Sequence, residues 1–223
     1  MNDDTFWSML CTADRDMLTA AGRSHYHPKG TPLLREGDSP GSAWVLEAGR
    51  AKIVAVAPGG HKTILGIRRP GDLIGELSAI DGQSRAATAT AIDGITALRI
   101  PRGAFTEFLR TNSAICHAVL TVVAFRLRAA SRFRAEFTST TVAERLIRQL
   151  AQLADQYGQE RANGIAITLP FSQEELASTI AASREAVVRA LKPLRDARIV
   201  DTTRQQIVIL RPDELHHLAG DGL

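Results

Sequence analysis

The first half of the chain alternates short apolar runs with turn residues. Between His27 and Gly75, glycine or proline recurs every few positions, and the runs between them, such as 43–46 and 52–56, are apolar enough for strands. Short strands separated by turn signals at this frequency are typical of an antiparallel roll or barrel. The pattern therefore predicts a β-roll at the N-terminal end.

Weaker signals flank these strands. Apolar residues spaced among acidic ones in 5–21 predict one or two short amphipathic helices, and 105–109 predicts another. The remaining predicted elements of this half are a hairpin tip and two strands, at 58–61, 87–91 and 95–100.

A long helical pattern begins near Asn112. Apolar or small residues recur in steps of three and four, interrupted once, which is the spacing of a coiled-coil seam: Leu120, Val123, Leu127, Ala130 and Phe137. A core helix of the same domain would also carry an apolar face. Arginines make the other side polar, however, and this favours a two-fold dimer helix; they are Arg126, Arg128, Arg132 and Arg134.

A break should separate this helix from the rest of the chain. Thr141 followed by Glu144 is a capping box, which starts a new helix over 142–157 and places a hinge at about 137–140. A polar loop and a strand are expected next, at 158–164 and 165–169.

Two further helices follow. Ser172 with Glu175 forms a second capping box, and Ser183 can cap the helix after it. Pro193 lacks an N–H group and crowds the preceding turn, so this last helix should end or bend by about Lys192.

Two strands complete the pattern, at 199–200 and 206–210, with a polar tip between them. Helix, tight turn, helix and a two-stranded wing is a winged helix-turn-helix. The chain is therefore predicted as an α+β protein in three parts. These are a β-roll domain, a dimerisation helix with its hinge, and a winged helix-turn-helix domain, at 1–112, 113–138 and 139–223.

Composition places the chain among soluble globular proteins. It has 223 residues, 44% hydrophobic and 23% charged. We find no apolar run that approaches the roughly 20 residues of a membrane helix, and the acidic start at Asp3 and Asp4 is unlike a secretory signal. We therefore expect a cytoplasmic protein with no membrane partner.

Cysteine usage and catalytic spacing point away from metal and enzyme chemistry. Cys11 and Cys116 lie far apart without CxxC or CxxH spacing, so no disulfide framework, zinc site or iron–sulfur cluster is indicated. No nucleophile–base pair or Walker-type loop is found either, and we expect no enzyme activity.

The chain has a net charge of +3, and its distribution along the sequence is more informative than the total. Residues 139–223 carry 10 Lys+Arg against 11 Asp+Glu, so this segment is nearly neutral. If it binds DNA, a few well-placed arginines must do so, because no broad basic field helps them.

The stretch 70–91 carries the first candidate site. Arg85 supplies a fork of donors that matches phosphate oxygens, and backbone amides of the small residues beside it, such as Ala86, add donors at short range. Glu76 would repel a phosphate, so its natural role is to accept a hydrogen bond from a ribose hydroxyl. The triplet Gly75-Glu76-Leu77 with Arg85 and Ala86 therefore predicts a nucleotide pocket.

The helix that Ser183 caps carries the second candidate site. Its polar face holds Arg184, Glu185 and Arg189, while an apolar face packs inward. Arginine can bond both major-groove acceptors of guanine, and glutamate can accept from the cytosine amino group. A solvated face whose charges merely keep the helix soluble is the alternative, and the surrounding fold pattern favours DNA.

These motifs together resemble the cyclic-AMP receptor / fumarate-nitrate reduction regulator family of bacterial transcription factors. They span nearly the whole chain: Lys29-Gly30, Glu36-Gly37-Asp38, Gly75-Glu76-Leu77 and Ser183-Arg184-Glu185. The resemblance implies a β-roll that binds the effector, a long helix that dimerises, and a winged helix-turn-helix that binds a palindromic site. It implies double-stranded DNA, cAMP as an allosteric effector, a second copy of the chain and RNA polymerase as partners, with no cofactor.

By the same resemblance, Glu76 and the amide of Gly75 would meet the ribose, and Arg85 with the amide of Ala86 would hold the cyclic phosphate. Ser131 matches the position that reaches the adenine amino group. Bacterial cyclic-AMP receptors usually have Ser or Thr where Ala86 stands. The run 85–88 is instead similar to the phosphate cassette of eukaryotic cyclic-AMP-dependent kinase regulatory subunits, where alanine favours cAMP over cGMP.

In the DNA-binding half, Arg184, Glu185 and Arg189 match the base readers of the family one for one. This implies a half-site similar to TGTGA. Ala181 stands where a turn glycine is usual.

Other interpretations stay open at this point. Ala86 and Ala130 each lack a side-chain contact that is usual in the family, so a member that binds DNA without ligand, or with another effector, is one alternative. A nucleotide-binding module that acts through a protein partner is a second. The iron–sulfur and haem branches are disfavoured, because the cysteines form no cluster and His61 falls in the expected hairpin tip.

Overall fold

The structure is a computed structural model that describes residues 5–56, 60, 62–169, 172–203 and 206–220. The chain divides into two compact units, Met1–Ala130 and Ser131–Leu223.

Among the residues described, the first unit has eight strands in two antiparallel sheets. The strands are β1 (Arg23–His27), β2 (Pro32–Leu34), β3 (Ser42–Ala48), β4 (Ala51–Val56), β5 (Lys62–Arg68), β6 (Leu73–Ile74), β7 (Thr88–Ala91) and β8 (Ile95–Pro101). One sheet has the order β1-β8-β3-β6, and the other has the order β2-β7-β4-β5. The predicted β-roll is confirmed.

Helices accompany the roll, and the strands alternate between two cores. The helices are α1 (Thr12–Ala21), α2 (Glu76–Asp81) and α3 (Arg102–Thr111). On β3, Ala43 and Val45 join a core with these helices, whereas Trp44 and Leu46 join a second core shared by strands of both sheets. Phe105 is fully buried in the first core, and burying a side chain of this size contributes about 1.5–3 kcal/mol.

The long helix α4 (Ser113–Ser139) starts at a side-chain cap. Asn112 Oδ1 accepts from the amide of Ile115 at 3.0 Å, and Asn112 Nδ2 donates to Asp14 Oδ1 at 2.6 Å. Hydrogen bonds from Cys11 and then Asn112 lower the pKa of Asp14. The carboxylate therefore remains an acceptor that ties the start of α4 to α1.

The two ends of α4 differ in how far their apolar side chains are buried. Near its start, Ile115, Ala118 and Val119 are buried in the core with α1 and α3. Further along, large apolar side chains of the single chain are exposed: Leu120, Phe125, Leu127 and Phe137. The helix is thus a core element at one end and carries an uncovered apolar surface beyond it.

The expectation that no apolar run approaches membrane length is wrong for α4. Its segment Ser113–Ala135 is long and apolar enough to cross a membrane by length and composition alone, with a mean hydropathy of 1.4. A single helix of this kind is weak evidence for a membrane span, since core helices pass the same test. The sequence estimate failed because the apolar residues of 113–125, which precede the arginines, raise the mean hydropathy of the segment.

The second unit is a winged helix-turn-helix. After α4 come α5 (Val142–Tyr157), β9 (Gly158–Arg161), β10 (Gly164–Ile167), α6 (Gln173–Thr179), α7 (Arg184–Asp196), β11 (Val200–Thr202), β12 (Ile207–Ile209) and α8 (Pro212–Ala219). The strands form one sheet in the order β11-β12-β10-β9. Both predicted capping boxes are present, at Thr141/Glu144 and at Ser172/Glu175.

One local prediction in this unit is wrong, and a second is wrong in part. The expected polar loop at 158–164 begins with strand β9, which pairs with β10 from Gly164 opposite Arg161. An exposed edge strand has no buried face, so it shows no apolar alternation. Helix α7 does not end by Lys192 but continues through Pro193 to Asp196, and a bend there stays a prediction. Leu194 is buried and the amide of Ala197 bonds to Pro193 O at 3.0 Å, so packing and the next turn outweigh the lost N–H.

Some sequence predictions fall partly outside the described residues. These are the hairpin tip at 58–61, of which only residue 60 is described, and the wing tip, which includes residues 204 and 205.

The turn before α7 holds a strained alanine. Ala181 has φ +49°, in the left-handed region that glycine prefers, which agrees with its place at an expected glycine. Left-handed backbone costs a non-glycine residue about 1–2 kcal/mol. We expect Ala181→Gly to relieve this strain and to raise the free energy of unfolding, or at least leave it unchanged, as measured by urea denaturation.

Ala197 supplies the matched control. It is also exposed, but its backbone is right-handed, at φ −78° and ψ −3°. Ala197→Gly relieves no backbone strain, and glycine loses more conformational freedom on folding than alanine. This substitution should therefore lower the free energy of unfolding by about 0.5–1 kcal/mol. Equal effects of the two glycines would show that the left-handed turn is not strained.

Candidate nucleotide pocket and DNA-reading helix

Gly75 lies at the junction of β6 and α2 with φ +76°. A Cβ at this position would stand 2.6 Å from Arg85 Nη1 and 2.8 Å from Leu34 Cδ1. Glycine is therefore required both by the backbone and by the close approach of Arg85, whose Nη1 donates to Gly75 O at 2.7 Å. Gly75 and Arg85, two of the residues predicted for the pocket, are thus in direct contact.

Arg85 is a buried cation, 4% exposed. Its Nη2 donates to Ser42 O at 2.6 Å, and its amide donates to Asp38 O at 2.9 Å. Burial lowers the pKa of the guanidinium from its ordinary value, while Glu76 and Asp38 act in the opposite direction. Arginine remains protonated in proteins, so a fixed positive charge with further N–H donors is held at this point of the roll.

Glu76 is 2% exposed and forms an ion pair that the sequence did not reveal. Arg126 Nη1 donates to Glu76 Oε1 at 2.6 Å, and Arg126 Nη2 donates to Leu73 O at 2.6 Å. Arg126 belongs to α4, so the long helix supplies a side chain to the candidate pocket. Its place on the polar side of α4 had suggested a solvated residue, and no local pattern distinguishes it from its neighbouring arginines.

The remaining predicted pocket residues are less enclosed. The Leu77 side chain is 47% exposed, and Ala86 is exposed as well. Only their amides are therefore suited to meet a ligand. Ser131 is solvent-exposed on α4, and its contact with an adenine ring stays a prediction.

The second site lies on α7, which begins as the sequence predicts. Ser183 is the N-cap, and its Oγ accepts from the amide of Ala186 at 3.1 Å. The three predicted readers are exposed, whereas Val187, Leu191 and Leu194 are buried beneath them; the readers are Arg184, Glu185 and Arg189.

Glu185 is kept ionised by its surroundings. Hydrogen bonds with its own backbone and with Ser183, followed by the charges of Arg184 and Arg189, lower its pKa. An ionised carboxylate is an acceptor only, which is the property that contact with a cytosine amino group needs. The face thus offers donors and one acceptor side by side.

Metal chemistry finds no support within the part of the chain that the structure describes. No group of three or more His, Cys, Asp or Glu residues there could hold a metal ion.

Two family descriptions match this chain. A cyclic nucleotide-binding domain matches residues 24–112, and a Crp-like helix-turn-helix domain matches residues 144–218. The first contains Gly75, Glu76 and Arg85, and the second contains the whole of α7.

Similar proteins agree with these matches. The chain is 34% identical over 164 residues to a CRP-like cAMP-activated global transcriptional regulator of Mycobacterium tuberculosis, covering 74% of this chain and 73% of that protein. It is 25% identical over 191 residues to the cyclic AMP receptor protein of Thermus thermophilus, covering 86% and 85%.

Solved structures share the fold. The c-di-GMP responsive global regulator CLP of Xanthomonas campestris superimposes with a TM-score of 0.81 at 21% identity, covering 89% of this chain and 99% of that one. FixK2 of Bradyrhizobium japonicum gives a TM-score of 0.74 at 20% identity, covering 91% and 99%. These likenesses concern the fold alone.

The Glu76–Arg126 pair can be tested without any ligand. Arg126→Gln leaves a buried carboxylate without its cation, so we expect the free energy of unfolding at pH 7 to fall by about 3 kcal/mol. Adding Glu76→Gln should recover part of this loss, because two amides avoid an uncompensated charge. Urea denaturation measures both.

The control is Arg128→Gln, an exposed arginine on the same helix. It should change the free energy of unfolding by no more than about 0.5 kcal/mol. If Arg126→Gln were as mild as Arg128→Gln, the ion pair would not stabilise the pocket.

Proposed function

Because this chain belongs to the cyclic-AMP receptor / fumarate-nitrate reduction regulator family, we propose that it is a homodimeric transcriptional regulator whose DNA binding responds to cAMP. The chain has a cyclic nucleotide-binding domain and a Crp-like helix-turn-helix domain. The proposal concerns the effector, the dimer and the DNA site. The expected compartment is the cytoplasm, and RNA polymerase is the expected further partner.

The observation that carries the proposal is a pair of buried opposite charges in the roll. Arg85 and Glu76 are 4% and 2% exposed, and charged residues are almost never buried to this degree without a partner or a task. A guanidinium beside a carboxylate suits a ligand that carries both a phosphate and a ribose hydroxyl. A cyclic nucleotide is such a ligand.

The choice of cAMP among cyclic nucleotides rests on relatives. The Mycobacterium tuberculosis and Thermus thermophilus proteins are both named for cAMP. The Xanthomonas campestris regulator is described as responsive to c-di-GMP, so the fold by itself serves more than one effector. Our proposal for cAMP also uses the likeness of the run 85–88 to a cAMP-preferring phosphate cassette.

One contact favours a second candidate, a regulator that binds DNA without effector. Glu76 accepts from Arg126 at 2.6 Å, and Ala86 supplies no hydroxyl for a phosphate. A pocket whose carboxylate is already paired gains less from a ribose. The binding experiment below separates the two candidates.

Dimerisation is supported by the uncovered apolar surface of α4. Leu120 and Leu127 are 60% and 67% exposed in the single chain and fall at seam positions of the coiled-coil pattern. A second copy packed along this seam would cover them. The same helix carries Arg126 into the pocket, which supplies a physical route from effector to dimer.

On DNA, the readers Arg184, Glu185 and Arg189 favour a half-site similar to TGTGA. Each good bidentate contact discriminates against a wrong base pair by about 1–3 kcal/mol. A two-fold dimer would read two such half-sites arranged as a palindrome.

We expect cAMP to bind the wild-type protein with micromolar affinity, measured by titration calorimetry, and cGMP to bind more weakly. Arg85→Leu removes the charge that faces the phosphate and should weaken cAMP binding by at least about 100-fold, since charge-assisted hydrogen bonds contribute about 1.5–3 kcal/mol each. Arg85→Lys keeps the charge but loses the forked pair of donors, so its affinity for cAMP should lie between those of the wild type and Arg85→Leu.

Arg110→Leu, an exposed arginine on α3 whose ion pair is with Glu107, is the control and should bind cAMP as the wild type does. Undiminished cAMP binding by Arg85→Leu would contradict the assignment of the pocket. Absence of cAMP binding by a folded wild-type protein that still binds DNA would favour the effector-free candidate.

For the DNA site, we expect cAMP to tighten binding of a palindromic TGTGA duplex by about 5–150-fold, and the duplex to tighten cAMP binding by the same factor. Arg184→Ala with Glu185→Ala should abolish specific binding while the dimer, measured by sedimentation, stays intact. Lys192→Ala, exposed at the other end of α7, should weaken binding only slightly and for all sequences alike. Equal cAMP affinity with and without the duplex would contradict the coupling.

A further inference from the structure

A buried arginine in the second unit has no role in the function proposed above. Arg145 lies in the first turn of α5 and is 8% exposed. Burying a charge is strongly unfavourable unless its donors are bonded and its position is fixed. The contacts of Arg145 therefore indicate what holds it in place.

Its guanidinium joins two segments that are distant in sequence, the end of α4 with the link after it, and the turn at Ile180. Nη1 donates to Thr140 O, at the link between α4 and α5, over 2.7 Å. Nε donates to Ile180 O over 3.0 Å. The guanidinium carbon lies 5.0 Å from the ring centroid of Phe137, in the last turn of α4, which is cation–π distance.

Ile180 opens the turn that starts the recognition helix. It is the C-cap of α6, and Ala181, with its left-handed backbone, follows directly. The amide of Ala182 returns to Ala177 O at 3.0 Å, and Ser183 then caps α7. A bond that fixes the direction of the Ile180 peptide thus fixes the conformation of a turn that is only three residues from Ser183.

The two sides of Arg145 differ in kind. Its hydrogen bonds to Ile180 O, which is buried, and to Thr140 O, which is partly buried, are directional, so they hold the turn and the hinge to each other. Its contact with Phe137 is made with the face of a ring whose side chain is 49% exposed. A change in the position of this ring therefore changes the surroundings of the guanidinium.

We propose that Arg145 is a positioning residue that relays the position of the last turn of α4 to the turn preceding the recognition helix. The contacts of Arg145 with Phe137, Thr140 and Ile180 all lie within the second unit. The effect of this relay on DNA recognition rests on the proposed function.

The test uses the full-length protein and the variants Phe137→Leu, Phe133→Leu and Arg145→Lys. Hydrogen exchange is measured on peptides covering 177–186, in the helix-turn-helix turn. Phe137→Leu keeps an apolar side chain but removes the ring, and we expect exchange at this turn to accelerate by about threefold or more, the range of typical coupling effects. Phe133→Leu makes the same change one turn earlier on α4 and should leave the turn unchanged.

A merely structural Arg145 gives a different result. If Arg145 only bonds the turn, Arg145→Lys accelerates exchange there while Phe137→Leu leaves it at the wild-type rate, and that outcome overturns the relay. Should Arg145→Lys fail to fold, Phe137→Leu against Phe133→Leu still decides the question.

A second readout reports on function. With saturating cAMP, the ratio of affinities for a TGTGA duplex and a scrambled duplex should fall by about threefold or more in Phe137→Leu and stay unchanged in Phe133→Leu. An unchanged ratio in Phe137→Leu would overturn the relay's role in recognition. If the wild type bound neither duplex, with cAMP or without it, the proposed function would fail, whereas the exchange measurement would still decide the role of Arg145.

Discussion

A carboxylate removed from water needs a cation or several donors close to it, and in this protein one cation comes from a distant helix. Glu76 is 2% exposed, and Arg126 of α4 pairs with it while also donating to Leu73 O. The ion pair fastens the long helix to the part of the roll where the nucleotide is proposed to bind. The rest of the proposed mechanism depends on this fastening, because any ligand group that approaches Glu76 must share it with Arg126.

A similar constraint operates in the second unit. Arg145 is a buried cation whose partners are main-chain carbonyls and an aromatic ring. Carbonyl dipoles and a ring face stabilise a guanidinium less strongly than a carboxylate does, so its position is sensitive to where those groups lie. In each unit an arginine thus links α4 to another element. Arg126 belongs to α4 and pairs with Glu76, and Arg145 of α5 contacts Phe137 of α4.

The sequence predicted what depends on local chemistry. Capping boxes at Thr141 and Ser172 and the cap at Ser183 are short-range patterns, and the structure has them where they were expected. Strand β9 was missed because an edge strand with all four residues exposed shows no apolar alternation. The continuation of α7 past Pro193 was missed because burial of Leu194, a tertiary effect, outweighs the local penalty.

The candidate pocket shows the same division. Gly75, Glu76 and Arg85 could be singled out since their residue types and spacing suit a sugar phosphate. Arg126 could not be, because four arginines of α4 look alike in sequence and only the folded chain brings one of them to Glu76. The hydropathy of α4 was equally ambiguous, since an apolar stripe suits a core, a dimer seam and a membrane alike.

Because α4 is one unbroken helix, the number of residues between two positions determines whether their side chains lie on the same side of it. Ile115 and Arg126 stand eleven residues apart on one continuous helix, and eleven residues complete slightly more than three whole turns. The two side chains therefore leave the helix on nearly the same side, where Ile115 packs in the core and Arg126 pairs with Glu76. Inserting or deleting a single residue between them would rotate one relative to the other by about 100°, so the length of this segment is as tightly constrained as its sequence.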